Sequence, residues 1–213
     1  MTEASKKFMT MSIWSAVIVL IIRCLIGWTE LSEFKVAGEI FKLTYTFIGY
    51  IGEAIAISSL FMWAFNKWWW KYKVFNFLAG GMPVLSKSYK GKIRFVWEEK
   101  EQERGSEIGI EQTFLNVTVK LGTDESSSNS VTAVIKEENG SKMLIYTYLN
   151  TPRAEIQNRS AIHYGTAMLS IDDPKHLTGN YFTTRQSRGS MDFMAVEEET
   201  KEGNQKKGKM ATK

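Results

Sequence analysis

The sequence is poor in the residues that build disulfide frameworks, metal centres and many catalytic sites. Its 213 residues include one cysteine, Cys24, and two histidines, His163 and His176. A single cysteine excludes a disulfide within the chain, which is typical of a reducing compartment. No GxSxG, P-loop, GxGxxG or HExxH motif is present. These absences predict a protein that is not an enzyme and that has no cofactor and no metal.

Strong charge of one sign is also missing. The formal net charge is +4, and no basic stripe carries interleaved aromatic residues. This pattern predicts no nucleic acid polymer as a partner. Asp172, Asp173 and His176 could be considered as metal ligands, but the intervening "DDPK" is more typical of a turn.

Long apolar runs are present, and they lie in the first third of the chain. Residues 11–28 are apolar except for Arg23, and residues 43–65 are apolar except for Glu53. Each run is close to the length that a helix needs to cross ~30 Å of hydrocarbon. A signal peptide is the alternative for the first run, but Arg23 interrupts it and no small-residue cleavage site follows. The sequence therefore predicts a transmembrane helical hairpin.

The flanks of the hairpin predict its orientation. Lysines lie outside both apolar runs, at Lys6, Lys7, Lys67, Lys71 and Lys73. The positive-inside rule then places both termini in the cytoplasm. Amphipathic rings are favoured at the level of the lipid headgroups, where we expect Trp68, Trp69, Trp70 and Tyr72. We expect the hairpin domain to span residues 1–75, with helices near 9–31 and 43–66.

The two charges inside the runs are expected to meet. Arg23 lies twelve residues inward from Met11, and Glu53 lies twelve residues inward from Phe65. At 1.5 Å per residue both are about 18 Å from the cytoplasmic end, so they have similar depths in an antiparallel hairpin. An isolated charge at this depth is costly, and a partner lowers the cost. The sequence predicts an Arg23–Glu53 pair but does not tell whether it forms within one chain or between chains.

A stripe of small residues accompanies Glu53. At 100° per residue, one face of the second helix carries Gly49, Gly52, Ala56 and Ser59. Small residues allow helices to approach closely in lipid. The stripe and the charged pair could close one hairpin, or they could form a contact in a homo-oligomer that perturbs the membrane.

Beyond the hairpin the hydrophobic period changes to two, which indicates strands. Seven segments alternate in this way: 88–99, 108–122, 130–138, 141–150, 161–171, 177–185 and 189–197. An eighth strand is expected near 74–86 or 153–160. "NG" at 139–140 predicts a hairpin turn, and "DESSSNS" at 124–130 predicts a polar loop.

Many short strands with tight turns predict an all-β domain, a small antiparallel up-and-down β-barrel of about eight strands. We expect this ligand-binding domain to be cytoplasmic and to span residues 76–197. The charged residues 198–213 are expected to be a disordered tail.

A small barrel without catalytic groups is suited to hold one ligand. Tyr181, Thr183 and Arg185 share one strand face, since they are two residues apart. An aromatic ring, a hydroxyl and a guanidinium suit a phosphate-bearing nucleotide, although an outward polar face would show the same spacing. Further candidates are Tyr164, Thr166, Tyr89 and Arg153. A membrane-anchored barrel that binds a lipid or fatty acid is the alternative function, and it would have a fully apolar interior.

The architecture and two segments resemble a known family. Two transmembrane helices precede a strand-rich domain with "HYGTAML" at 163–169 and "LTGNYFTTRQSRGSMDF" at 177–193. This order is similar to the membrane-anchored β-barrel effectors of bacterial CBASS anti-phage systems, the SMODS-associated two-transmembrane proteins also described as minimal STING-like receptors. The resemblance extends from about residue 8 to 196. Its motif consists of Gly179, Tyr181, Thr183, Arg185, Ser187 and Gly189.

The resemblance implies a function and its partners. In this family a CD-NTase of the infected cell makes a cyclic dinucleotide, and the barrel binds it. The proteins then oligomerise and their transmembrane segments disrupt the lipids of the inner membrane, so that the cell dies before phage release. The resemblance assigns ligand binding to Tyr181, Thr183 and Arg185, with Tyr164 and Thr166 as weaker matches. It implies a multi-pass protein of the bacterial inner membrane, with Gly179 and Gly189 serving backbone geometry.

Overall fold

A computed structural model describes residues 2–29, 40–97 and 100–196. The helices in these ranges are α1 (Glu3–Ile26), α2 (Ile40–Lys67) and α3 (Lys73–Leu78), with short 3-10 helices at Trp69–Lys71 and Ala154–Ile156. The segment that joins α1 to α2, residues 30–39, and the tail that was expected to be disordered both lie outside the described residues. The described part divides into a helical unit and a β unit.

The two long helices of the helical unit confirm the predicted apolar hairpin segments. Both α1 and α2 are long and apolar enough to cross a membrane. Helix α1 begins six residues earlier than expected because Thr2 caps it, and the Thr2 hydroxyl accepts a hydrogen bond from the backbone N–H of Ser5 at 3.1 Å. The charged first turn thereby joins the helix although it is not apolar.

The two helices pack against each other and bring the two charges of the apolar segments together. Helix α2 buries one face at a spacing of four residues, with Tyr50, Ala54, Ser58 and Met62. Arg23 Nε lies 2.7 Å from Glu53 Oε2. The predicted pair therefore forms within one chain in this structure.

The small-residue stripe lies on a different face of α2. Ala56 and Ser59 are exposed, and a Cβ added at Gly49 or Gly52 would contact no atom within 4 Å. Among the described residues, α1 therefore does not cover this face. Within residues 2–29 and 40–97 the stripe therefore does not take part in closing the hairpin.

An aromatic cluster lies at the end of α2 and corrects one expectation. Trp70 was predicted to lie at the lipid headgroups, but it is completely buried with Phe65 and Phe114. Phe114 belongs to the segment Gln112–Val117, which is part of the helical unit although it connects two strands. Asn66 holds this segment, since its main-chain carbonyl accepts from the N–H of Phe114 and its side-chain carbonyl from that of Leu115, each at 3.0 Å.

The β unit is the predicted up-and-down barrel. Each strand pairs with the next along the chain, and β1 pairs antiparallel with β8, so the barrel is closed. The strands are β1 (Ser88–Trp97), β2 (Lys100–Gln112), β3 (Val117–Gly122), β4 (Ser126–Glu138), β5 (Ser141–Pro152), β6 (His163–Ser170), β7 (His176–Thr183) and β8 (Arg188–Ala195). The predicted turn at Asn139–Gly140 joins β4 to β5.

Two expectations about the strands were wrong. The eighth strand is neither of the expected segments, which contain α3 and the 3-10 helix at Ala154–Ile156. It arises because the segment 108–122 is interrupted by the turn that Asn66 holds, so β2 and β3 are separate strands.

The segment 124–130 is also not a loop, because β4 already begins at Ser126. Alternate polar side chains of this strand form specific hydrogen bonds. Ser128 is buried and donates to Asn150, and the Ser130 hydroxyl accepts from the N–H of Val119 at 2.9 Å.

Candidate functional site: a cationic cavity in the barrel

The interior of the barrel is divided into a packed end and an open end. Buried residues that face each other across the strand pairs close the packed end: Tyr89 with Ile108, Leu144 with Leu169, and Leu177 with Phe193. At the other end the inward positions carry polar and aromatic side chains around a cavity of about 340 Å³. This volume lies at the small end of the range of ligand sites.

The three residues of the predicted ligand face all line this cavity. Tyr181 and Thr183 are on β7, and Arg185 is in the turn that follows. The Thr183 hydroxyl is 2.6 Å from the Ser187 hydroxyl, and Arg185 Nη1 donates to the Ser160 hydroxyl at 2.8 Å. The structure thus brings together a ring, a hydroxyl and a guanidinium, which can stack on a base and bind a phosphate.

Two glycines make room for the aromatic walls. A Cβ at Gly189 would lie 2.8 Å from the Tyr181 ring and 2.1 Å from the main-chain oxygen of Arg94. A Cβ at Gly165 would lie 2.4 Å from the ring of Tyr148. Each glycine lies opposite the tyrosine in the strand pairing, so the ring can lie flat over the neighbouring backbone.

A second cationic group lies on the β2 side of the cavity. Glu125 accepts hydrogen bonds from Arg104 Nη1 and, at 2.6 Å, from Arg159 Nη2. All three side chains line the cavity. The Arg104 guanidinium also lies 5.9 Å from the centre of the Phe95 ring.

The floor of the cavity has hydrogen-bonding groups that could read a base. The Ser128 hydroxyl donates to Asn150 Oδ1 at 2.8 Å, and both residues are buried. This contact leaves the Asn150 amide N–H₂ available as a donor. The hydroxyl of Tyr146 is buried and has no hydrogen-bond partner among the residues that the structure describes.

Tyr181, Tyr148 and His163 of the cavity are kept neutral near neutral pH. Burial raises the pKa of Tyr181, while Arg185 and Arg104 lower it. Burial also raises the pKa of Tyr148. The pKa of His163 is lowered by burial and by the charge of Arg185, although a hydrogen bond to the Ala161 carbonyl opposes this. The charge of the cavity therefore comes from its arginines and from Glu125.

Four other candidates from the sequence do not line this cavity. Tyr164 and Thr166 lie on the outer face of β6, because the inward positions of that strand are 163, 165 and 167. The Tyr89 hydroxyl is at the packed end, donates to the Pro174 carbonyl at 2.6 Å and accepts from the Ser86 N–H. Arg153 is exposed, and its backbone N–H donates to the Glu125 carbonyl. A ligand role for these four residues stays a prediction.

Sequence reasoning missed the second cationic group and the polar floor. Arg104 occupies an inward position of a charged strand that did not show a clear alternation. Glu125 and Arg159 come from connections between strands, so only the pairing of β4 with β5 brings them together. Ser126 and Ser128 are two residues apart, as on one face of a strand, but the polar composition of residues 124–130 predicts a loop.

The predicted turn at Asp172–Asp173 is confirmed, and its acidic groups have local roles. Asp172 Oδ1 accepts from the N–H of Lys142, and Asp173 Oδ1 accepts from the N–H of Lys175. The His176 ring bonds to Asp192 at 2.8 Å. No group of three or more histidine, cysteine or acidic side chains suited to a metal occurs within residues 2–29, 40–97 and 100–196.

Comparison with known proteins agrees with this site. Residues 81–195, which contain the whole barrel, match the family described as "Cap15, cyclic dinucleotide receptor domain". The chain is also 33% identical over 144 residues to CD-NTase-associated protein 15 of Staphylococcus schleiferi, which covers 68% of this chain and 78% of that protein. The family is one of receptors and not of known enzymes. The chain therefore belongs to the Cap15 family of cyclic dinucleotide receptors, which act in CBASS anti-phage defence.

Proposed function

We propose that this protein senses a cyclic dinucleotide in its barrel and then oligomerises and disrupts the bacterial inner membrane through its helical hairpin. The observation that carries the sensing step is the face formed by Tyr181, Thr183 and Arg185 on the cavity. Three arginines and a buried amide line the same space, which suits an anionic ligand with hydrogen-bonding edges. A lipid or fatty-acid barrel would need a largely apolar interior.

The membrane step is supported by the two long apolar helices. Lysines follow α2 and precede the apolar part of α1, so both termini are assigned to the cytoplasm by the positive-inside rule. The barrel follows α2 in the chain and is therefore cytoplasmic in this proposal. That compartment is where a CD-NTase product would be made.

Oligomerisation is supported by the face of α2 that α1 does not cover. Gly49, Gly52 and Ala56 lie on this face, and small residues allow a second helix to approach closely in lipid. Glu53 already bonds to Arg23 of its own chain, so a second copy would not meet an unpaired charge. In this proposal the stripe is the contact between copies.

The sensing step is tested with the full chain in lipid nanodiscs. A panel of cyclic dinucleotides that covers every pairing of the RNA bases is screened by thermal shift, because a ligand that binds only the folded state raises the unfolding temperature. At least one member should stabilise the wild type, and Arg185→Ala should abolish that shift. If no member stabilises the wild type, the sensing function is wrong.

The membrane step is tested separately in vesicles that contain a trapped dye. The dinucleotide that binds should release dye and produce cross-linked oligomers of the wild type. Gly52→Leu should prevent both while the thermal shift remains, and Ile48→Leu, at an exposed position of the same helix, should behave as the wild type. Dye release by Gly52→Leu would remove the stripe from the contact.

A further inference from the structure

The cavity has two cationic groups, and we propose that they bind the two phosphates of one cyclic dinucleotide. Arg185 is one group. Arg104 and Arg159, which share the carboxylate of Glu125, are the other. This inference rests on the proposed function and assigns ligand roles to two further residues, Arg104 and Arg159.

The charges of the cavity match those of the ligand class. Among the lining residues, three guanidinium groups face one carboxylate, which leaves two net positive charges. His163 adds none near neutral pH because its pKa is lowered. A cyclic dinucleotide has two phosphodiester groups, each with one negative charge. The pair on Glu125 retains one net positive charge and Arg185 supplies the other, so each group can balance one phosphate.

The barrel separates Arg104 of one group from Arg185, which is the other. Arg104 is on β2 and Arg185 follows β7, so β8 and β1 lie between them around the barrel. The charges of both arginines act on the Tyr181 hydroxyl. Tyr181 lines the same cavity as both arginines, as expected for a residue that contacts a ligand bound to both.

Arg104 and Arg159 keep donors for a ligand. Each has five N–H donors, and the bonds to Glu125 use one donor from each guanidinium. Asp124 lies 3.9 Å from Arg104 Nε, which is beyond a hydrogen bond, and it is mostly exposed. The carboxylate holds the two side chains together, so a phosphate would meet an ordered pair of planar donors.

The test uses the full chain in nanodiscs and the dinucleotide identified by the thermal-shift panel. Arg104→Gln, Arg159→Gln, Arg185→Gln and Arg104→Gln/Arg185→Gln are compared by calorimetry. A charged hydrogen bond predicts a loss of affinity of about tenfold or more for each of the three single variants. If the two groups bind different phosphates, the fold-loss of affinity in the double variant equals the product of the fold-losses of Arg104→Gln and Arg185→Gln. Arg94→Gln is the matched control, because Arg94 is exposed, pairs with Glu103 and does not line the cavity.

Arg104→Lys serves as a second variant if Arg104→Gln does not fold. It keeps the charge beside Glu125 but removes the planar fork, so we expect a smaller loss than for glutamine. Wild-type affinity in a folded Arg104 variant, or a double variant no weaker than Arg185→Gln, would overturn the two-phosphate assignment while leaving the sensing function intact. A wild type that binds no member of the panel would instead overturn the sensing function, and this inference with it.

Discussion

Arg23 and Glu53 form an ion pair between the two membrane-length helices. Arg23 Nε is 2.7 Å from Glu53 Oε2, and the Arg23 guanidinium lies 3.8 Å from the centre of the Tyr50 ring on the same side of α2. The contact satisfies two charges that would each be costly alone in hydrocarbon. The small-residue stripe of α2 lies on a different face of the helix, which α1 does not cover.

Glu53→Gln should therefore reduce both the amount of protein in the membrane and its toxicity. The variant leaves Arg23 without its carboxylate, and a charge at the centre of a membrane helix costs roughly 2.5–3.5 kcal/mol on insertion scales. Arg23→Gln/Glu53→Gln removes both charges and should restore the amount, which is measured after carbonate extraction of membranes. Ligand binding should be unchanged in both variants. If Glu53→Gln alone shows the wild-type amount of protein in the membrane and wild-type toxicity, the ion pair has no role in membrane insertion or in toxicity.

Gly189→Ala should lower the stability of the barrel and weaken ligand binding. The new Cβ would lie 2.1 Å from the Arg94 carbonyl oxygen, which belongs to the backbone and must shift. Overpacking of this kind costs roughly 1–3 kcal/mol, and the displaced Tyr181 ring would no longer fit the ligand. Thermal unfolding with and without dinucleotide measures both effects.

The control for this prediction is Gly105→Ala on β2. A Cβ at Gly105 would contact no atom within 4 Å, so its unfolding temperature should equal or slightly exceed that of the wild type. Equal stability of the two alanine variants would show that the neighbouring backbone adapts to Gly189→Ala without cost.

Much of the fold could be predicted because burial has a simple period. The alternation along β3, for example, is complete from Val117 to Gly122, and the observed burial follows it. The alternation does not show which face is inward, and this is why Tyr164 and Thr166 were grouped with the ligand face although they lie outside. Trp70 shows the same limit for the hairpin. A tryptophan beside lysines at the end of an apolar run indicates a membrane interface, and only the packing shows that the Trp70 side chain is buried.

The site could be predicted only where its residues are close in sequence. Tyr181, Thr183 and Arg185 share a strand and a short turn, so their spacing places them together. The contact between Arg159 and Glu125 spans 34 residues and depends on the pairing of β4 with β5. No local pattern determines such a contact, because its geometry is set by the register of the strands between.

Stability should increase with pH around the titration of His163. Burial and Arg185 lower its pKa in the folded state, while the unfolded side chain titrates near ~6.5. The unfolded chain therefore binds more protons below about pH 6.5, and stability falls as the pH decreases towards the folded pKa. Acidification from pH 7.5 to 5.5 should lower the unfolding temperature more in the wild type than in His163→Gln. Equal decreases would show that His163 does not contribute.

Asn66→Ala should speed amide exchange in the segment between β2 and β3, and more at Leu115 than at Phe114. The variant removes the side-chain acceptor of the Leu115 N–H but keeps the main-chain carbonyl that accepts from Phe114. A lost hydrogen bond of about 1 kcal/mol predicts that the Leu115 amide exchanges with solvent roughly fivefold faster, with a smaller change at Phe114. Amide exchange measured by NMR in nanodiscs separates the two residues. Asn76→Ala is the matched control, because its side chain bonds to the Met82 carbonyl in the same helical unit. Unchanged exchange at Leu115 in Asn66→Ala would mean that packing of Phe114 alone holds the segment.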